Sequence, residues 1–111
     1  FNIKNQPILS YGVMGGQYQP VGHCHVLQNF FDFNMSIQES IDFPRAFCLN
    51  EKYQLENRIP NSIFEKLEKI GHNVNFDSNT HGGGQAIYID RENGVLVGGS
   101  DYRKDGCAIG I

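Results

Sequence analysis

The stretch Pro7-Ile8-Leu9-Ser10-Tyr11-Gly12-Val13-Met14-Gly15-Gly16-Gln17-Tyr18-Gln19-Pro20 decides how this chain is read. Its first eight residues are mostly apolar and predict a buried strand. Gly15-Gly16-Gln17 then predicts a sharp turn, because glycine reaches backbone angles that a Cβ forbids. From Pro20 to about Phe33 the apolar residues Val21, Cys24, Leu27, Phe30 and Phe31 recur at spacings of three and four, which predicts one helix face. A strand thus delivers the chain through two glycines into a helix.

Successive N–H groups in such a turn can point at one spot. The helix N-terminus adds about half a positive charge. That arrangement suits the oxyanion of an acyl-transfer reaction, where losing one donor costs about 2.7–4 kcal/mol. It equally suits a phosphate or a carboxylate, and it is also the pattern of an ordinary tight turn. No Gly-Lys-Ser/Thr follows, so it is not a Walker loop.

Working outward, Ser36-Ile-Gln-Glu39 is a capping box that starts a short helix, and Pro44 stops it. Arg45 to Asn50 and Tyr53 to Glu56 predict strands joined at Asn50-Glu51-Lys52. Ile59, Ile63, Phe64, Leu67 and Ile70 mark a second amphipathic helix, with Pro60 in its first turn and Gly71 at its stop. Asn73 to Phe76 alternates as a strand does. Gln85 to Asp90 and Val95 to Gly98 predict two strands, and the Asn93-Gly94 between them is a strong hairpin signal. The pattern is that of an α+β layered domain in which two helices cover a sheet. It does not yield a pairing order.

The 111 residues suffice for one compact domain, and 40% are hydrophobic, including eight Phe and five Tyr. A net charge of −3 gives no basic face for nucleic acid or an anionic membrane. No apolar run approaches the roughly 20 residues of a membrane span. Cys24, Cys48 and Cys107 form an odd, widely spaced set, a poor disulfide framework that predicts buried free thiols. Free thiols favour the cytoplasm. The chain begins at Phe1 without a signal-peptide pattern, as expected of a natural cleavage point or an artificial boundary.

Other candidate sites have bland alternatives. His23-Cys24-His25 suggests zinc, but two residues apart on a helix the histidines diverge by about 200°. A polar contact near the helix N-terminus is the alternative. Gly82-Gly83-Gly84 suits a ligand approach or, more simply, close backbone packing at a sheet end. His72 and His81 are expected at the surface. Ser100 and Asp101 lack a nearby His and a Gly-x-Ser-x-Gly elbow, so a structural turn is expected, with Asp101 or Asp105 pairing with Arg103 or Arg45. Asp32, Asp42, Glu51, Glu56 and Asp90 show no spacing that marks an acid/base pair.

Five stretches in order carry a family resemblance. They are Gly15-Gly16 at the strand end, Ser40-Ile-Asp42-Phe-Pro44-Arg45, the helix ending Lys69-Ile-Gly71-His72, Gly83-Gly84-Gln85-Ala86-Ile87, and Gly98-Gly-Ser100-Asp101-Tyr-Arg103. They resemble the C-terminal part of the small subunit of gamma-glutamyltransferases (gamma-glutamyltranspeptidases). The wording around Gly15-Gly16, with Arg103-Lys-Asp-Gly-Cys107, looks closest to the acylase-like bacterial branch. Asp101-Tyr102-Arg103 departs from the more usual Asp-Pro-Arg, and Ile111 stands where an aromatic is common.

The resemblance implies part of the αββα sandwich of N-terminal-nucleophile hydrolases, with residues 1–111 as one incomplete domain of an autoprocessed bacterial precursor. It implies attack on a γ-glutamyl amide such as glutathione by an N-terminal Thr, an acyl-enzyme, and transfer to water, an amino acid or a peptide. No metal or organic cofactor is implied. The backbone N–H groups of Gly15 and Gly16 match the family's oxyanion hole. The nucleophile has no counterpart here: Thr80 lies in a loop, and Phe1 has no hydroxyl. The piece alone is therefore expected to be inactive. Its expected partners are the remaining N-terminal part of the small subunit, the large subunit, the substrate and the acceptor, with homo-oligomerisation left open. The strand beginning near Pro7 is expected to pair with upstream strands. A periplasmic or secreted parent is also compatible with the family. Two alternatives stand beside this reading: a non-catalytic binding module on the same scaffold, and a fragment of a β-lactam-type amide acylase.

Overall fold

The computed structural model describes residues 4–79 and 81–110. The readings of Phe1, Thr80 and Ile111 concern positions outside these residues. In chain order the elements are β1 (Leu9–Met14), a single 3₁₀ turn (Gly16–Tyr18), α1 (Gln19–Phe31), α2 (Ile37–Asp42), β2 (Ala46–Leu49), β3 (Lys52–Glu56), α3 (Asn61–Lys69), β4 (Val74–Asp77), β5 (Gly83–Asp90) and β6 (Val95–Ser100). They fall into two compact units, residues 1–43 with 82–111, and Pro44–His81. Two three-stranded sheets thus replace the single sheet expected.

The first unit holds an antiparallel sheet in the order β1-β5-β6. The β5–β6 hairpin closes as its Asn-Gly predicts. Asp90 Oδ1 accepts from the N–H groups of Glu92 at 3.1 Å and Asn93 at 3.0 Å, and Gly94 takes φ 69°. In α2 the capping box is complete: Ser36 Oγ accepts from Glu39 N–H at 3.2 Å, and Glu39 Oε2 accepts from Ser36 N–H at 2.8 Å. The helix ends because Pro44 pushes Phe43 into extended backbone, φ −54° and ψ 140°.

Both helices of this unit pack on one sheet face. A Cβ on Gly99 would lie 2.9 Å from Ile41 Cδ1, and one on Gly22 would lie 2.7 Å from Val13 Cγ1. Glycine at these two points lets helix and strand touch. Asn29 joins the helices by donating to Ser40 O at 3.2 Å.

Two expectations change here. Only Val13 of β1 is buried, because the helices cover one face of this edge strand and the other face stays open. That open face, with Ser10, Gly12, Gln85, Ile87, Leu96 and Gly98, lines a concavity of about 520 Å³ beside Ala108 and Ile109. On α1 the buried residues are Gly22, Val26 and Asn29, whereas Val21, Cys24 and Phe31 are exposed. Three of the five residues of the apolar stripe thus look outward, while Leu27 and Phe30 are half-buried, Phe30 against Tyr88. Packing selects the side where Gly22 permits close approach, a property that hydrophobic period does not encode.

In the second unit β2 and β3 form an antiparallel hairpin, and β4 joins β3 in parallel. Parallel neighbours need a crossover, which α3 supplies. Pro60 is its N-cap and Gly71, at φ 98°, lies just past its end. Phe64 stacks on Phe76 with ring centroids 5.0 Å apart, and Leu55 is buried. Buried Arg45 donates from its backbone N–H to Glu56 Oε2 at 3.0 Å and from its guanidinium to His81 O at 2.6 Å. His81 is therefore buried, against the surface position expected for it; His72 is exposed.

The three cysteines are free and exposed, not buried. Cys24 sits on the outward stripe of α1, Cys48 on β2, and Cys107 in the coil after β6. No helix among the described residues is long and apolar enough to cross a membrane.

Candidate functional site

The turn after β1 is built on two unusual backbone conformations. Gly15 has φ 134° and ψ 30°, and Gly16 has φ 56°. Tyr18 N–H donates to Gly15 O at 3.1 Å and closes the 3₁₀ turn. The N–H groups of Gly16 and Gln17 precede that bond, so the turn itself leaves them unused. Both residues are exposed.

Glycine is needed at Gly15 and Gly82 for the same contact. A Cβ on Gly15 would stand 2.7 Å from Gly82 Cα, and one on Gly82, at φ 64°, would collide with Met14 O. This is the close backbone packing expected of the triple glycine, and it meets the candidate turn directly. Gly83 lies under the stem of Lys104. Gly84 N–H donates to Asp101 Oδ2 at 2.7 Å.

The flanks of the turn are held by Tyr18 and His23. Tyr18 is buried, and its ring fills the space that a Cβ on Gly22 or Gly82 would occupy. His23 Nδ1 lies 2.7 Å from Gln19 O, and Val13 N–H donates to His23 Nε2 at 3.4 Å. The Tyr11 ring packs 5.3 Å from the imidazole. Burial pushes the Tyr11 phenol above its usual range, and Cys24 adds to the shift. His25 instead packs against Phe43 with ring centroids 5.9 Å apart. The two histidines thus serve different neighbours, and His23 is the polar contact near the helix N-terminus.

The remaining candidates are structural. Asp101 is fully buried and pairs with Arg103 across 3.1 Å. The Arg103 guanidinium also donates to Ile41 O at 3.2 Å and Phe43 O at 3.1 Å, capping the carbonyl end of α2. Ser100 exchanges backbone bonds with the Gln38 amide at 3.0 and 2.8 Å, so Gln38 acts as a short surrogate strand on the β6 edge. Glu56 accepts from Arg45, Asp42 from Gln38, and Asp90 from its own turn. Among the described residues no three His, Cys, Asp or Glu side chains cluster to hold a metal.

Sequence reading missed the Gly15–Gly82 contact, the Tyr18 plug and the two-sided bonding of His23. No spacing rule announces them, because each joins elements by folding rather than by period.

The gamma-glutamyltranspeptidase family model matches residues 1–111. This chain belongs to the gamma-glutamyltranspeptidase family. Among similar gamma-glutamyltranspeptidase-family proteins is the glutathione hydrolase-like YwrD proenzyme of Bacillus subtilis (strain 168), 33% identical over 96% of this chain and 22% of its own length. The chain thus spans about a fifth of that relative. The structure of cephalosporin acylase from Bacillus halodurans is 40% identical with TM-score 0.85, covering 92% of this chain and 20% of that one. Gamma-glutamyltranspeptidase from Pseudomonas nitroreducens, complexed with L-DON, superposes at TM-score 0.87 and 18% identity, over 100% of this chain and 59% of that one. The fold is therefore α+β, part of the αββα sandwich of N-terminal-nucleophile hydrolases. The solved gamma-glutamyltranspeptidase chain is longer, and this chain covers 59% of it.

Proposed function

We propose that the parent protein cleaves γ-glutamyl amides, glutathione among them, and passes the acyl group to water, an amino acid or a peptide. The observation that carries this reading is the Gly15-Gly16 turn at the end of β1, with both glycines at positive φ and Gly16 exposed. In the proposed step a Thr hydroxyl, from residues outside this chain, attacks the amide carbonyl and gives its proton to the Thr α-amine. The carbonyl oxygen gains negative charge, and the glycine turn stabilises it. Collapse expels the amine, which leaves with that proton. Water or an acceptor amine then attacks the ester through the same oxyanion.

The other partners under this reading are the rest of the small subunit and the large subunit, which supply the nucleophile and the groups that hold the glutamyl end. The test is turnover of γ-glutamyl p-nitroanilide by the autoprocessed full-length protein, with none from residues 1–111 alone. Absence of full-length turnover overturns the reading.

A second reading, an amide acylase of the β-lactam type, is favoured by the 40% identity to cephalosporin acylase. The same turn serves it, since both reactions pass through a tetrahedral oxyanion. The ratio of kcat/KM for the γ-glutamyl anilide and for an acylated cephalosporin separates the two.

A further inference from the structure

We propose that His23 is a positioning residue that fixes the direction of the Gly15 and Gly16 N–H groups; this rests on the oxyanion reading above. Two adjacent glycines tolerate many backbone angles, so the single bond from Tyr18 N–H to Gly15 O does not by itself fix the turn. Something must fix its two ends.

On the strand side, Ile89 N–H donates to Ile8 O at 2.9 Å. Continuing the β1–β5 register, Ser10, Gly12 and Met14 bond to β5, and Leu9, Tyr11 and Val13 turn their backbone groups to the open edge. The Val13 N–H on that edge meets His23 Nε2 at 3.4 Å. An acceptor at Nε2 puts the proton of a neutral imidazole on Nδ1. Nδ1 then donates to Gln19 O at 2.7 Å, on the first residue of α1.

One imidazole therefore spans from the strand just before Gly15 to the helix just after Tyr18. The ring has no internal torsion, so it holds these flanks at a fixed separation. Tyr11 seats it from the side, with its hydroxyl donating to His23 O at 3.4 Å. Gly82 limits where Gly15 sits; the Val13–His23–Gln19 bridge limits how far the ends of the turn separate.

The test uses the full-length protein and three variants. H23A removes both bonds. H23Q keeps an acceptor near the Nε2 position, and H23N keeps a donor near the Nδ1 position. Amide hydrogen exchange over residues 13–18 reads the turn without requiring activity. Roughly tenfold faster exchange is expected there in H23A, with the β5–β6 hairpin unchanged. For γ-glutamyl p-nitroanilide, kcat is expected to fall by about tenfold to a hundredfold with KM within about twofold, and H23Q and H23N to recover part of it. Unchanged exchange in all three variants overturns the proposal. So does faster exchange with unchanged kcat, or a kcat loss that simply tracks loss of Tm. If the wild-type protein turns over neither the anilide nor an acylated cephalosporin, the oxyanion reading fails, and the exchange arm still decides whether His23 holds the turn.

Discussion

A Cβ placed on Gly15 would lie 2.7 Å from the Cα of Gly82, backbone against backbone. At Gly16, the next residue, nothing stands within 4 Å of that position. The adjacent glycines are therefore required for different reasons. Gly15 is needed for a contact as well as a conformation, and Gly16 for its positive φ alone.

Gly15→Ala should destabilise more than Gly16→Ala. Overpacking costs about 1–3 kcal/mol beyond the backbone strain, whereas a left-handed residue costs about 1–2 kcal/mol. Gly16→Asn should be milder still, because Asn tolerates that region. Urea unfolding of the full-length protein checks the order; equal losses for the two alanine variants would contradict it.

Arg103→Ala should cost about 3–5 kcal/mol, the range for stripping one partner from a buried ion pair. Both side chains of the Asp101–Arg103 pair are fully covered. The loss also uncaps the Ile41 and Phe43 carbonyls. Arg103→Lys should recover little, because one ammonium cannot follow the guanidinium fork to Asp101 and α2 together. Denaturant midpoints for the two variants measure this.

Ser36→Ala should cost about 1 kcal/mol through loss of the α2 cap. It should also change the acid limb of stability. The Ser36 side-chain and backbone bonds hold the Glu39 carboxyl below its usual 4.5. A depressed folded pKa gives stability that is complete above the unfolded value. It is lost as pH falls from about 4.5 through the folded pKa. The difference in unfolding free energy between wild type and Ser36→Ala should therefore narrow from neutral pH to below 4.5, and a difference that stays constant with pH would contradict it.

Gly22→Ala should destabilise although alanine favours helix by about 1 kcal/mol. Its methyl would lie 2.6 Å from Tyr18 Cε1 and 2.7 Å from Val13 Cγ1. Both are buried, so neither can step aside. A rise in Tm on this substitution would mean that α1 and β1 are looser than described.

Local chemistry was legible from the residues alone. Ser36 and Glu39 announce a cap, Asn93-Gly94 a hairpin, Gly71 a helix stop, and Pro44 the end of α2, because each acts on backbone within a few residues. The ordered motifs from Gly15-Gly16 to Arg103 pointed to the family that the comparisons bear out. Which face of α1 is buried was not legible. Val21, Cys24 and Leu27 make as good a stripe as Gly22, Val26 and Asn29 until Gly22 meets Val13. The cysteines were misread for the same reason, since burial belongs to neighbours and not to residue type.

The sequence by itself determined the cap that starts α2, the proline and glycine that stop α2 and α3, the turn of the β5–β6 hairpin, and that two glycines break the path from β1 to α1. Only the tertiary structure decided that Gly82 backs Gly15, that Arg103 caps α2, and that His23 bridges the turn. Those contacts join residues far apart in the chain. Their energy is realised only when strand register and helix packing bring the groups within bonding distance.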